Sequence, residues 1–155
     1  MISNVPLPHW SELFNSIARR AINDEDLALP WRPNGERWLW LSRASFAFEI
    51  IALWWKSVED DQAPVFWIPD YFCNQSTEPL RSMKATICFY PVADNLQPDW
   101  EKCREMLKTK PPNFFTLVHY FGRVGDAGSA RKFCDEAGAL LIEDAISTFS
   151  LLIFK

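Results

Sequence analysis

Residues 114–145, FFTLVHYFGRVGDAGSARKFCDEAGALLIEDA, contain the pattern that decides the fold. An apolar run from Phe114 to His119 predicts a buried strand, and a second run, Ala139–Ile142, predicts another. Apolar residues at helical spacing between them predict a helix over Asp126–Ala137, whose first residue serves as the N-cap and which stops at Gly138. Apolar strands that alternate with helices are typical of a parallel sheet.

The same alternation extends towards the N-terminus. Short apolar strands are predicted at Val65–Ile68 and Thr86–Tyr90, each closed by a proline, and a helix is predicted over Asp99–Lys108. A further helix from about Arg43 to Ser57 is apolar almost all round, so we expect it to be buried. Because the strands are fully apolar, helices should cover both faces of the sheet. The sequence therefore predicts an α/β fold, a three-layer α/β/α unit with a mostly parallel sheet.

A separate N-terminal region is predicted before this unit. Apolar residues recur there at helical spacing, namely Trp10, Leu13, Phe14, Ile17 and Ala21. The polar stretch 23–26, followed by Pro30 and Pro33, ends that helix. We therefore divide the chain into an N-terminal helix and linker, residues 1–35, and one α/β domain, residues 36–155.

Composition argues against several classes of protein. With 48% hydrophobic and 23% charged residues in a chain of 155, the protein is globular rather than disordered. A net charge of -4 and the lack of a lysine or arginine run argue against nucleic-acid binding. The longest apolar run, 46–55, is interrupted by Glu49 and is too short to cross a bilayer. The N-terminus has no signal-peptide pattern, so the sequence predicts no membrane association.

Cysteine spacing argues against a metal site. The four cysteines lie far apart in the sequence without a C-x-x-C pair, and only two histidines are present to complete a zinc site. Scattered reduced thiols are typical of a cytoplasmic protein, which is the location that we expect. The cysteines are Cys73, Cys88, Cys103 and Cys134.

Residues with chemical potential follow the predicted strands. Ligands bind outside the carboxyl ends of strands in open α/β sheets, so a site is expected there. The residues are Asp70, Tyr71, Cys73, His119, Tyr120, Arg123, Glu143 and Asp144. Each also has a structural interpretation: Asp144 as a cap, His119 as a satisfied buried histidine, and Tyr120 and Phe121 as packing residues. Ser45, near a helix start, suits either a cap or a phosphate ligand.

In order along the chain, these residues lie in segments that resemble one family, the DegT/DnrJ/EryC1/StrS aminotransferases. Ile68–Cys73 resembles the "v-P-x-Y-x-C" segment of that family, Val118–Gly122 resembles "vHlyG", and Gly138–Ala145 resembles "g..lIEDaAh". Between the first two, Tyr90–Val92 with Leu96 and Asp99–Glu101 resembles "pvd…l.pdle". The ordered set, from about Arg43 to Ala145, is more specific than any single piece.

The resemblance implies fold type I of the pyridoxal-phosphate enzymes and a set of cofactor-binding residues. Asp144 would pair with the pyridine nitrogen, and the helix start at Ser45 would hold the phosphate. Ser147 lies three residues after the aspartate, where the family commonly has His or Gln. Cys73 occupies the expected ring-stacking position, with Tyr71 or Phe72 as alternatives.

The resemblance also implies a lysine that forms a Schiff base with the cofactor. In the family this lysine lies about two dozen residues beyond the aspartate. Only Ala145–Lys155 follow here, and Lys155, the one lysine among them, comes early for that spacing. We therefore expect residues 36–155 to form part of a cofactor-binding large domain, with the catalytic lysine and the small domain missing and the chain incomplete or inactive by itself.

The function implied by the resemblance is amino transfer to a nucleotide-linked keto-sugar, in polysaccharide or cell-surface sugar biosynthesis. Glutamate is the implied amino donor, and the complete enzymes work as homodimers. An alternative is a non-catalytic α/β module that binds a phosphate-bearing ligand, or a protein through its Trp-rich N-terminal half. Ser45-Phe46, where the family usually has Gly-Thr, and Ser147 favour this module. A truncated product without a function of its own is a third interpretation.

Overall fold

The computed structural model describes residues 37–145, the backbone of 150–154 and, closer to the N-terminus, Trp10, Ser11, Phe14, Glu25 and Gly35. The chain divides into two compact units, Met1–Trp40 and Leu41–Lys155. In the first unit, Trp10, Ser11 and Phe14 are helical, and the rings of Trp10 and Phe14 lie 6.5 Å apart. The rest of the predicted N-terminal helix lies outside the described residues.

The second unit alternates strands and helices as the sequence predicts. Its strands are β1 (Val65–Pro69), β2 (Thr86–Tyr90), β3 (Phe114–Val118), β4 (Leu140–Ala145) and β5 (Ser150–Phe154). Its α-helices are α1 (Ser45–Val58), α2 (Glu78–Ser82), α3 (Trp100–Leu107) and α4 (Ala127–Ala137). Short 3-10 helices occur at Asn74–Thr77 and Tyr120–Gly122.

The strands form one sheet in the order β2-β1-β3-β4-β5. β1 to β4 run parallel, and β5 pairs with β4 in the antiparallel direction, with Ile142 opposite Ile153. The prediction of a mostly parallel sheet is therefore confirmed. The apolar run 150–154 indicates a strand, but its antiparallel direction was not predicted, because an apolar run does not reveal the direction in which it pairs.

Helices cover both faces of this sheet, which confirms the three-layer prediction. The connection from β1 to β2 passes through α2, whereas those from β2 to β3 and from β3 to β4 pass through α3 and α4. Because these connections advance in opposite directions along the sheet, right-handed crossovers place their helices on opposite faces. One core includes Phe48, Ile51, Phe66, Leu80, Phe114 and Ile142, and the other includes Trp67, Cys103, Phe115, Phe133, Cys134 and Leu141.

Aromatic rings fill the core under α3 and α4. Phe115 is fully buried on β3 and stacks against Tyr90 with ring centroids 4.6 Å apart. The rings of Phe133 and Trp100 lie 5.1 Å and 5.8 Å from the same phenylalanine. The buried hydroxyl of Tyr90 donates a 2.7 Å hydrogen bond to the carbonyl of Thr116, so this polar group is satisfied inside the core.

Local signals at helix ends are confirmed at α4 and not at α1. The Asp126 carboxylate accepts a 2.9 Å hydrogen bond from the backbone N–H of Ser129, and Gly138 ends α4 at a φ of 68°. By contrast, Ser45 is the first residue of α1 and Ala44 precedes it as N-cap, so a capping role for the Ser45 hydroxyl is wrong.

The expectation that α1 is buried all round is also wrong. Its inner face packs on the sheet, but Phe46, Ile50, Leu53, Trp54 and Val58 are each 39–53% exposed. Helix α1 is therefore a surface helix, with apolar residues on the face that packs on the sheet and also on the face that is exposed to solvent. Within the described part of the chain, no helix combines the length and the apolar character that crossing a membrane requires.

Candidate functional site

The sheet order creates a crevice between β1 and β3. From β1 the chain moves outward to β2, and it then returns across β1 to β3. The loops that follow β1 and β3 therefore leave the sheet in different directions. Ligands of open α/β folds bind at such a switch point, outside the carboxyl ends of the strands.

A cleft of about 370 Å³ occupies this position. Its size is that of a small-molecule site. It is lined by Tyr71, Phe72, Cys73, Ser76, Val118, Tyr120, Phe121 and Asp144. The structure thus brings together four residues singled out in the sequence, Tyr71, Cys73, Tyr120 and Asp144. Ser45 is not among the lining residues. Ser147 and Lys155, the remaining candidates, lie outside the described residues.

Asp144 is the buried carboxylate of the cleft. It lies near the end of β4 opposite Val118, and its carbonyl accepts a 2.9 Å hydrogen bond from the N–H of His119. Successive strand residues point to opposite faces, so Asp144 shares a face with Ile142, which packs on the α1 side. The strand thereby fixes a buried carboxyl group, 6% exposed as a residue, in the lining of the cleft.

Three aromatic residues form one wall of the cleft. The ring of Tyr120 lies 5.5 Å from that of Tyr71 and 6.3 Å from that of Phe121, and the Tyr120 hydroxyl donates to the carbonyl of Tyr71. Burial, together with the charges of Asp70 and Asp144, raises the pKa of Tyr120 far above its usual value. The hydroxyl is therefore a proton donor at neutral pH.

Phe121 is the unusual member of this wall. It has a φ of 51°, in the left-handed region, and its side chain is 71% exposed at the cleft. A bulky residue in that region stores strain of about 1–3 kcal/mol, and such residues cluster at functional sites. Packing was the structural interpretation of Tyr120 and Phe121 in the sequence. No local signal in the sequence identifies Phe121 as a residue with left-handed backbone.

His119 has a structural position beside the cleft. Its Nδ1 accepts a 2.8 Å hydrogen bond from the N–H of Gly125, which leaves the proton on Nε2 to donate to Glu143 at 3.0 Å. The two side chains are almost fully buried. A Cβ on Gly125 would lie only 3.2 Å from the side chain of Leu117, so glycine permits this close approach. The pair anchors the loop that carries Tyr120 and Phe121, in agreement with the structural interpretation of His119.

The start of α1 lies close to the loop that lines the cleft. Phe48, in the first turn of α1, makes an edge contact with Phe72 at 6.1 Å between ring centroids. Ser45, half-buried, begins that turn. The N–H groups of Phe46 and Ala47 already donate to the carbonyls of Arg43 and Ala44, so it is the helix dipole that favours an anion there. An anionic group of a ligand in the cleft therefore has a complementary helix end nearby.

Cys73 contributes a thiol to the lining of the cleft. Hydrogen bonds from the side chain and backbone of Ser76, and from the backbone of Gln75, hold the pKa of this exposed thiol below its usual value. Burial instead raises the pKa values of Cys103 and Cys134 to about 12. Cys73 is thus the more reactive thiol, because the thiolate is the nucleophile.

We expect the rate of alkylation of Cys73 by iodoacetamide to reach half its maximum below pH ~8.5, which is the usual pKa of a thiol. The thiolate exists above the pKa, so a lowered pKa moves the onset of reaction to lower pH. Ser76→Ala removes the largest cause and should move this midpoint upward. Peptide mass spectrometry resolves the sites, with Cys103 and Cys134 as unreactive internal references. Equal midpoints in the wild type and in Ser76→Ala would contradict the assignment.

The chemistry of the cleft suits the ring of pyridoxal phosphate. A flat heteroaromatic ring needs an apolar wall, and its protonated nitrogen needs a carboxylate; Tyr71 and Phe72 offer the first and Asp144 the second. None of the eight lining residues is a lysine or an arginine. The lining therefore fits the ring, while phosphate binding depends on the helix start at Ser45.

Comparison with solved structures identifies a similar fold. The chain resembles the crystal structure of S. venezuelae DesV in complex with a ketimine intermediate, with a TM-score of 0.51 over 88% of the chain and 18% sequence identity. The chain spans 40% of the length of the DesV chain. At this level of identity the likeness shows the fold alone, an α/β unit with a mostly parallel sheet. No protein-family model matches the sequence, and no curated protein does.

Proposed function

We propose that the chain is the cofactor-binding part of a pyridoxal-phosphate-dependent sugar aminotransferase of the DegT/DnrJ/EryC1/StrS family. The observation that carries this proposal is the buried carboxylate of Asp144 in an aromatic-lined cleft at the switch point of the sheet. The fold shared with DesV, a sugar aminotransferase, supports the same assignment. The proposed substrates are a nucleotide-linked keto-sugar and glutamate as amino donor, and the proposed assembly is a homodimer in the cytoplasm.

Each proposed cofactor-binding residue has a distinct role. Asp144 would accept a hydrogen bond from the protonated pyridine nitrogen, and Tyr71 and Cys73 would hold the ring. Ser45 and the helix dipole at the start of α1 would hold the phosphate, and Ser147 would complete the set. When bound, the cofactor supplies an electron-accepting ring for the bond that breaks at the amino donor. An ionised Asp144 would keep the ring nitrogen protonated for that purpose.

Binding of pyridoxine 5'-phosphate tests this proposal. Because this compound lacks the aldehyde, it forms no Schiff base with surface lysines and reports on the pocket alone. Equilibrium dialysis should detect binding to the full chain, and Asp144→Asn should weaken it about 10- to 100-fold, since a hydrogen bond between charged groups contributes about 1.5–3 kcal/mol.

Asp70→Asn is the matched control for this experiment. Asp70 also follows a strand at this edge of the sheet, but it is exposed and does not line the cleft. Its replacement should leave the affinity unchanged. An equal loss in both variants, or no binding by the wild type, would exclude a cofactor pocket based on Asp144.

A non-catalytic module that recognises phosphate is the second candidate. The absence of a lysine from the cleft lining favours a non-catalytic role, and the helix start at Ser45 offers a position for the phosphate. In this case inorganic phosphate should displace pyridoxine 5'-phosphate completely, and Asp144→Asn should bind as tightly as the wild type. The same dialysis experiment therefore separates the two functions.

A further inference from the structure

The outer face of α1 is an apolar surface that the rest of the fold leaves exposed. We define the outer face by its five exposed apolar residues, Phe46, Ile50, Leu53, Trp54 and Val58. The opposite face already buries Phe48, Ile51 and Ala52 against the sheet. Among the five, Trp54 also contacts this core, since its ring centroid lies 6.4 Å from that of Phe114. Together the side chains of the outer face present on the order of 400 Å², which is the size of the largest apolar patch on a typical monomer, a patch that is often functional.

Four of these residues form a continuous ridge. Phe46, Ile50, Trp54 and Val58 occur at every fourth position, so they follow one i, i+4 row along the helix. The row is symmetric about its middle. When a second α1 is placed antiparallel about that point, Phe46 faces Val58 and Ile50 faces Trp54. Rows of this kind interlock at a crossing angle of about -50°.

The charges that flank the ridge are complementary in the same arrangement. Glu49 and Lys56 are seven residues apart, about two turns, so they lie on the same edge of the outer face. Their midpoint nearly coincides with that of the ridge. A two-fold axis across two antiparallel helices therefore brings Glu49 of each copy next to Lys56 of the other. In parallel packing about a two-fold axis along the helices, the charged edges of the two copies would lie on opposite sides of the interface, and this pairing would be lost.

Lys56 is available to pair with Glu49 of a second copy. Its Nζ lies 3.9 Å from the carboxylate of Asp61, which is almost fully exposed, and a pair of this kind contributes little to stability. A contact with Glu49 of a second copy would lie at the edge of an apolar interface. Less water reaches that position, so the new pair is the stronger one.

We propose that the outer face of α1 is the contact surface between two copies of this chain, packed antiparallel about a two-fold axis. The inference deepens the proposed homodimer by assigning its surface, and it does not depend on cofactor binding. Two such faces bury roughly 800 Å², less than the ~1,200 Å² of a standard interface. The dimer is therefore weak, with a Kd on the order of 10–100 µM.

Sedimentation equilibrium of the full chain tests the surface. The wild type should show reversible dimerisation over this concentration range, and Ile50→Glu should weaken it at least about tenfold by placing a charge at the centre of the ridge. Val124→Glu is the control, because Val124 is equally apolar and 78% exposed on another surface. Circular dichroism verifies that each variant is folded.

Charge exchange tests the antiparallel geometry. Glu49→Lys and Lys56→Glu should each dimerise less than the wild type, because each places like charges opposite one another at both ends. An equimolar mixture of the two variants should regain association, since every contact then pairs opposite charges. High salt should reduce these differences.

The outcomes separate the inference from the homodimer proposal. A wild type that is monomeric throughout overturns both. A dimer that Ile50→Glu leaves intact overturns the surface alone, and a mixture that fails to regain association overturns the antiparallel arrangement. A monomer that Ile50→Glu destabilises would assign the outer face to a partner within the chain.

Discussion

Replacing Phe115 with alanine is expected to lower the free energy of unfolding by about 3–5 kcal/mol, measured by urea denaturation. The residue is fully buried, and its ring contacts Tyr90, Phe133 and Trp100 at centroid distances of 4.6–5.8 Å. Alanine leaves a cavity at the centre of this cluster, because rings fixed on separate strands and helices do not collapse into it. A domain of ordinary stability has a free energy of unfolding of about 5–15 kcal/mol and would lose a large share of it.

Phe89→Ala is the matched control for Phe115→Ala. Phe89 lies on β2, one residue from Tyr90, but its side chain is 47% exposed. Its truncation should cost about 0.5 kcal/mol or less. If Phe115→Ala does not fold, Phe115→Leu supplies the measurement, with an expected loss of about 1–1.5 kcal/mol. Equal losses at positions 89 and 115 would contradict the assignment of the aromatic core.

Local sequence signals predicted most of the fold. The strand Thr86–Tyr90 was predicted with its observed bounds, because an apolar run closed by proline has an unambiguous end. The predicted strand Ala139–Ile142 was too short, since β4 continues through Glu143 and Asp144 to Ala145. The polar side chains of Glu143 and Asp144 suggested that a loop begins after Ile142. Pairing with β3 on one side and β5 on the other nevertheless keeps these residues extended.

The outer face of α1 shows a limit of the apolar pattern. The composition of the helix predicted burial, but composition does not specify which element covers each side. Residues that pack on the sheet and residues such as Ile50 and Trp54, which remain exposed, belong to the same chemical class. The short helix α2 was missed for a related reason. Its five residues are too few for a helical period to emerge, and Pro79 lies in its first turn.

The candidate site was predictable where its residues follow strands. Tyr71 and Cys73 lie directly after β1 and Asp144 near the end of β4, so the topology brings them to one edge. The link between His119 and Glu143 depends instead on the register of β3 against β4, over a separation of 24 residues. No periodicity or local motif encodes that register. The roles of Ser147 and Lys155 remain predictions from the sequence.

The contact between His119 and Glu143 should have a large effect on stability. His119→Ala is expected to lower the free energy of unfolding by about 3 kcal/mol, since it leaves a buried carboxyl and the N–H of Gly125 without their hydrogen-bond partner. Glu143→Gln should cost only about 1 kcal/mol, because the amide oxygen still accepts the proton of Nε2. A double-mutant cycle with His119→Ala and Glu143→Ala should show a coupling energy of about 1–3 kcal/mol.

A local measurement distinguishes anchoring of the loop from general destabilisation. The loop contains the exposed Arg123, so trypsin cleavage after this residue under native conditions should accelerate in His119→Ala. Gln97→Ala is the control: it removes a different, exposed 2.9 Å hydrogen bond to the same loop, at the N–H of Asp126. Its effects on cleavage and on unfolding should both be small. If His119→Ala and Gln97→Ala accelerate cleavage equally, or if the coupling energy is zero, the buried pair does not hold the aromatic wall of the cleft.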